Sequence, residues 1–484
     1  MRPRYISYQL LKPISDAHPI QIDQAMFKLP SISRTVRELR NSLAPINRLP
    51  PEILALVPTF RASERDLMNA TAVCKHWRRT FISTPDLWNN IICSEHTGLH
   101  ITPRLQTYFE RSGSVPVDVE VPAKVSRLLS PHTDRISGLT LNISSQWDLG
   151  QIAAHLSKPA PLLETVELCT SYKGPRGLVL PTRFFEAFLS SAKTLNVRGA
   201  VLCPGPCKLS KLTTFTLRTS TTSYTSAVLL DALEQMPLLE VLEVTYCRGS
   251  QQDPVPKDRV VTLPRMEEVA ILIDQNRLES IENRIFPALR LPSARRVILH
   301  STSIDGPPRT PILPLSFQER LPRFAIIPEV FATFDTSDTN IRFLGSDGST
   351  MRIRAWSPGH PHFTESVLGG TPFNSVCKLS VSFRSPEVDL NLFFGLLWGM
   401  NGLESLRMIQ NTVQPLGWWI GDSLGGTLCP ALTSLIVIDT DFDRAKLCLE
   451  ELKRIREGDD GVPIAEMEVR YCQNEVEDDD PYAF

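Results

Sequence analysis

Ser423 stands in the tetrapeptide Gly421-Asp422-Ser423-Leu424, Cys203 and Cys207 form a CxxxC pair, and His360 and His362 flank a proline. These side chains could supply a serine nucleophile, a thiol pair and an imidazole pair for a metal. Each lacks a requirement of that chemistry. A serine nucleophile needs a base within hydrogen-bond reach and a site for the oxyanion, and no histidine follows Ser423, the last in the chain being His362. A zinc site needs about four nitrogen or sulfur ligands, and no second cysteine pair or histidine cluster accompanies Cys203 and Cys207. There is no GxxxxGK[ST] phosphate loop, HExxH or paired CxxC. The expected protein is a binder, not an enzyme, with no cofactor and no metal.

Composition narrows what it binds. Across 484 residues, 51 Lys and Arg stand against 53 Asp and Glu, a formal charge of -2. That gives no electrostatic ground for nucleic acid or an anionic membrane as partner. Apolar runs such as Leu390–Leu397 and Leu435–Ile438 fall far short of the ~20 residues of a membrane span. The opening MRPRYISYQLLKPISD has no long apolar region or small-residue cleavage site. The 10 cysteines are scattered, as a reducing compartment allows, so a cytoplasmic or nuclear location is expected.

The elements begin with Ile46–Ile91, INRLPPEILALVPTFRASERDLMNATAVCKHWRRTFISTPDLWNNI. Leu49, Pro50, Pro51, Glu52 and Ile53 open it. Proline in a first helical turn costs nothing, because that turn's N–H groups have no intrahelical partner. Glu52 suits the positive end of the helix dipole. Ser63 and Asp66 mark a second start in a capping-box-like arrangement. Ile53, Leu54 and Val57 recur at helical spacing, as do Leu67, Ala70 and Cys74. Three short helices closing on Trp77 and Trp88 as core residues are expected.

The LPPEI opening, the Val73-Cys74-Lys75-His76-Trp77-Arg78 centre and the late Leu87-Trp88 together resemble an F-box, the helical module that plugs into the Skp adaptor of cullin-type ubiquitin ligases. The resemblance implies that Leu49, Pro50, Pro51, Glu52 and Ile53 face the adaptor, and through it the cullin scaffold. Val57-Pro58 departs from the Ile-Phe that many F-boxes carry, and the extra proline is expected to shorten the first helix.

Downstream, the pattern apolar-x-x-apolar-x-apolar-x-x-small recurs: Ile136, Leu139, Leu141, Ser144; Leu163, Val166, Leu168, Ser171; Leu239, Leu242, Val244, Cys247; Leu403, Leu406, Met408, Asn411; Leu432, Leu435, Val437, Thr440. Its spacing of about 20–29 residues is the leucine-rich-repeat signature. The small ninth side chain can meet backbone groups inside a turn. Helical patterns lie between at Phe184–Ala192, Tyr224–Met236, Val388–Met400 and Asp441–Glu457. The expected class is α/β: a three-helix F-box followed by a leucine-rich-repeat solenoid, parallel strands inside and helices outside.

The expected organisation is a disordered lead-in at 1–30, a helix packing on the F-box at 31–45, the F-box at 46–92, a linker or cap at 93–134, the solenoid at 135–474 and an acidic tail at 475–484. Within the solenoid, 303–373 fits badly. Leu321, Phe324 and Ile326 can be placed as a unit, while Asn340–Leu344 and Met351–Arg354 read as a hairpin around Asp347-Gly348.

In this order the parts resemble F-box proteins with a leucine-rich-repeat tail, of the kind multiplied in mushroom-forming fungi. The resemblance implies a substrate receptor of an SCF ubiquitin ligase, holding an unknown protein target on the strand face. Side chains alternate along a strand, so Glu167, Arg198, Arg218, Glu243, Arg407 and Arg470 are the candidate target-binding residues. Ile298, Ile409 and Ile438 add apolar anchors. A scaffold acting outside ubiquitination and a repeat protein with a degenerate F-box are the alternatives.

Overall fold

The computed structural model describes residues 33–36, 41, 44–57, 64–93, 101–170, 178–179, 188–201, 209–218, 223–224, 226–245, 248–249, 259–274, 285–302, 317–335, 338–356, 373–385, 390–421, 428–457 and 463–471. The chain divides into two compact units, Met1–Val121 and Pro122–Phe484. The lead-in at 1–30, the tail at 475–484, Ser63, the Cys203/Cys207 and His360/His362 pairs and Asp422-Ser423-Leu424 lie outside the described residues. Of the helix expected at 31–45, only Ser33–Val36 and Asn41 are described as helical.

In the first unit, α1 (Pro51–Leu56), α2 (Glu64–Val73) and α3 (Lys75–Ile82) follow a 3-10 turn at Pro45–Arg48. Pro51 begins α1, Glu52 sits in its first turn, and the Leu54 N–H closes on Pro50 O at 2.9 Å. The helix ends at Leu56, ahead of Pro58, which has no N–H to return into it. Cys74 does not continue the α2 stripe of Leu67 and Ala70. It is extended, at φ -159 and ψ 174, and separates α2 from α3. A 3-10 turn at Pro85–Trp88 leads into β1 (Asn90–Ile92), which pairs in parallel with β2 (Val117–Pro122) across α4 (Ile101–Arg111). The expected linker or cap at 93–134 straddles the division between the units. Its part up to Val121 joins the first unit, and Pro122 begins the second.

The second unit is built on β3 (Ile136–Ile143), β4 (Thr165–Thr170), β5 (Thr194–Arg198), β6 (Thr214–Arg218), β7 (Val241–Thr245), β8 (Glu268–Asp274) and β9 (Arg296–Thr302). It continues with β10 (Glu329–Phe334), β11 (Asp338–Leu344), β12 (Thr350–Trp356), β13 (Lys378–Phe383), β14 (Ser405–Ile409), β15 (Ser434–Asp439) and β16 (Glu466–Tyr471). Their order in the sheet is β3-β4-β5-β6-β7-β8-β9-β12-β11-β10-β13-β14-β15-β16. Described helices between the strands are α5 (Gln146–His155), α6 (Ser226–Glu234), α7 (Leu390–Trp398), α8 (Val413–Gly421) and α9 (Phe442–Arg456). The helix expected at 184–192 is, in its described part, a 3-10 turn at Leu189–Ser191. α5 and α8 carry no expectation from the sequence reading.

The repeated apolar positions become rows. Leu139, Val166, Leu195, Phe215, Leu242, Val269, Val297 and Met351 are successive strand partners. From β10 onward Val330, Leu379, Leu406, Leu435 and Met467 continue as partners. The first position of each unit also forms a regular feature. Leu163, Leu212, Leu239, Met266, Val376, Leu403 and Leu432 are buried, and each donates its N–H to the carbonyl three residues earlier. Those earlier residues, Ala160, Leu209, Met236, Leu263, Phe373, Met400 and Cys429, are buried too. Four apolar residues per unit thus close one strand onto the next, a continuous core that no unit could bury alone. The ninth-position Asn411, at φ 41, donates from Nδ2 to Phe383 O at 2.9 Å.

The segment 303–373 is ordered where it is described. β10, β11 and β12 form an antiparallel meander, with β10 parallel to β13 and β12 parallel to β9. Three alternating strands leave the outer two pointing the same way, so the parallel sheet resumes on both sides. The Asp347-Gly348 turn joins β11 to β12, with Gly348 at φ +83 where glycine carries no Cβ penalty. The Leu321, Phe324, Ile326 placement is corrected: Ile326 is exposed, and the buried set is Phe324, Ile327, Val330 and Ala332. Pro328 and the small Ala332 hid that register.

Candidate functional site

Two surfaces answer to the residues singled out by sequence. The first lies on the opening helices. Leu54 and Ala55 turn inward, and α3 packs against both α1 and α2, bringing Phe81 and Trp77 into the same core. Leu49 is half-buried, whereas Pro50, Pro51 and Glu52 are exposed. Ile53 and Leu56 are 48% and 49% exposed, and Val57 follows at 41%. These three fall at i, i+3 and i+4, which places them on one side of the helix. Ile46, Met68 and Val73 are further exposed apolar side chains of the same unit. Sequence spacing singled out Ile53 but not Leu56, Met68 or Val73, because periodicity reports an apolar residue without saying whether its partner is in the chain.

The tryptophans hold this surface from behind. The Trp77 indole N–H donates to Asn47 Oδ1 at 2.5 Å, and Asn47 Nδ2 donates to Asn41 O at 2.5 Å. Trp77 meets Phe81 edge-on at 5.4 Å. Trp88 is fully buried, donates to Phe81 O at 2.8 Å, and meets Tyr108 edge-on at 5.1 Å. The Arg111 guanidinium lies 4.3 Å from the Trp88 ring centre. Burial also raises the Tyr108 hydroxyl and the Cys93 thiol above their usual pKa values, so both stay neutral at physiological pH.

The second surface is the polar face of the sheet. Glu167, Asn196, Thr216, Glu243, Ala270, Ile298, Arg352, Arg342, Phe331, Ser380, Arg407, Ile436 and Glu468 form one row of strand partners. In the adjoining row, Arg198 stands beside Arg218, and Ile409 beside Ile438 and Arg470. Most of the expected charges neutralise one another. Arg198 pairs with Glu167 at 3.1 Å, Arg218 with Glu243 at 2.7 Å, and Arg470 with Glu468 at 2.6 Å. The last pair holds the Glu468 carboxyl below its usual pKa through Arg470. Exposed pairs of this kind contribute roughly 0–1 kcal/mol. Arg407 is exposed and has no ion pair among the described residues.

The described residues contain no helix long and apolar enough to cross a membrane. No curated protein matches the chain. Residues 46–94, which hold α1 to α3, both tryptophans and the exposed apolar side chains, match the F-box-like family model, so this chain carries an F-box-like domain there.

Proposed function

We propose that the chain is the substrate-recognition subunit of a cullin-type (SCF) ubiquitin ligase. The F-box-like domain docks on a Skp-type adaptor, and the second unit, read as a leucine-rich-repeat-like solenoid, holds a protein target. The observation that carries the reading is the exposed apolar stripe of Ile53, Leu56 and Val57 within the matched segment. Covering the half-exposed part of each would contribute on the order of 1 kcal/mol. The parallel register and the four-residue apolar repeat support the solenoid, which offers a long row of side chains to a partner. The receptor makes no bond itself and works in the cytoplasm or nucleus. Tethering raises the target's effective concentration at the ligase, with no new contact needed.

Capture of a purified Skp-type adaptor by the full chain tests the docking half. Ile53→Gln with Leu56→Gln keeps helix propensity and removes the apolar stripe. Adaptor capture should fall at least tenfold with the thermal midpoint unchanged, as should capture by Leu49→Ala with Pro50→Ala. Undiminished capture by well-folded variants would reject the docking surface. Docking without ubiquitin transfer to a bound target, in a reconstituted ligase, would favour a scaffold role instead.

A further inference from the structure

β16 is the last strand of the sheet, and the repeating core ends with it. Met467, Val469 and Tyr471 are the partners of Leu435, Val437 and Asp439 on β15, so they take the apolar side. On the preceding strands the same positions, Leu406, Met408, Leu435 and Val437, are fully buried. Met467 and Val469 are only half-buried and Tyr471 is 61% exposed, since among the described residues no strand follows to cover them. The backbone is open on the same side. Glu466 donates its N–H to Thr433 O, at the start of β15, at 2.9 Å. Successive residues of a strand aim their backbone groups to opposite sides, so Glu468 and Arg470 also bond toward β15. Met467, Val469 and Tyr471 aim theirs outward, the row of open donors and acceptors that marks an edge strand.

The side chains of this edge are complementary to themselves. A second β16 laid antiparallel must keep apolar residues opposite apolar ones, because a one-residue slip puts every side chain on the wrong face. Two-fold registers centred on Met467, Glu468, Val469 or Arg470 meet that condition. Centring on Met467 sets Glu466 opposite Glu468, and centring on Glu468 or Arg470 sets that residue opposite its own copy. Like charges directly opposite are destabilising. Centring on Val469 instead sets Glu468 of each copy opposite Arg470 of the other. Those positions lack backbone bonds between them, so their side chains come closest, with Cα atoms about 4.5 Å apart. The outward backbone groups then match as well: Val469 exchanges bonds with Val469, and Met467 with Tyr471. We infer that the β16 edge pairs with the same strand of a second copy of this chain, antiparallel about Val469. Within one copy Arg470 donates to Glu468 at 2.6 and 2.8 Å, and across the pair each finds the same chemistry. Such an interface is isologous, and its small area makes the dimer weak. Opposite residues share a face, so the polar faces of both copies join as one surface, on which a target with two matching segments gains avidity. The inference goes beyond the proposed function and does not rest on it.

Sedimentation velocity of the full chain between about 1 and 200 μM tests this. The sedimentation coefficient should rise with concentration toward that of a dimer. Val469→Pro removes a central N–H that faces away from β15, a place where an edge strand accepts proline. This variant should stay monomeric while keeping its thermal midpoint to within about 3 °C. Glu468→Arg alone and Arg470→Glu alone each set like charges opposite, and each should associate at least about tenfold more weakly. Mixed together, the two single variants present opposite charges at both positions, and association should return to within about threefold of wild type. Misfolding cannot produce that recovery. A sedimentation coefficient independent of concentration overturns the proposal, as does a dimer that Val469→Pro leaves intact. No association on mixing overturns the register. Dimerisation only after removal of residues 475–484 also overturns it, and gives the edge to the chain's own tail.

Discussion

Trp88 combines complete burial, an indole N–H satisfied by Phe81 O, an edge-on contact with Tyr108 and a guanidinium over its ring. Removing it leaves a cavity lined by groups that cannot all collapse inward, so Trp88→Ala should cost about 3–5 kcal/mol. A urea titration of the full chain checks this, and a cost below about 1 kcal/mol would mean that the pocket refills. Trp88 and Trp77 were legible in the sequence, because a large aromatic at a fixed place in a short helical segment has few other uses. Arg342 and Arg352 were not. Their meaning lies in being opposite each other, which follows from strand register and from no spacing along the chain. The same holds for Arg198 and Arg218, which strand alternation picked out as candidate target-binding residues. Register gives each a glutamate on a neighbouring strand.

Between elements, the apolar repeat was readable because each strand buries the same two positions, and a row of partners tolerates little drift. The turn position three residues earlier went unnoticed, since Ala160, Leu209, Phe373 and Cys429 share burial but not size. The connection from β14 to α8 shows how a turn is locked. Asp439 is buried at the end of β15, and its Oδ2 accepts from the Thr412 N–H and hydroxyl, both at 2.5 Å. Its Oδ1 accepts from the Asp441 N–H at 3.0 Å. Burial pushes the Asp439 pKa up, but the Thr412, Asp441 and Thr440 hydrogen bonds outweigh it and hold the carboxyl below its ordinary value. A carboxylate depressed in the folded state adds stability above its unfolded pKa and loses it as pH falls through the folded one. Asp439→Asn should therefore lower stability by about 1–3 kcal/mol at pH 7. Thermal midpoints of both proteins should converge below about pH 4. A gap independent of pH would assign the effect to packing.

At the scale of the second unit, the insertion obeys a parity rule. β10 and β12 both run with the parallel strands, and β11 alone runs against them. Removing two consecutive strands preserves direction at each junction, whereas removing one does not. A deletion of residues 336–356 takes out β11 and β12 and leaves β10 to meet β9. Val330 then takes the place of Met351 beside Val297, since both now belong to the same apolar row. The segment that led from β12 to β13 remains to make the crossover that parallel neighbours require. This shortened chain should fold cooperatively, keep its parallel-sheet circular dichroism and capture the adaptor as before. A deletion of residues 345–356, which removes β12 alone, forces antiparallel β11 against β9. Every hydrogen-bond ladder at that junction changes, and it should aggregate or unfold at a much lower temperature. If the two deletions behave alike, direction is not what the insertion conserves.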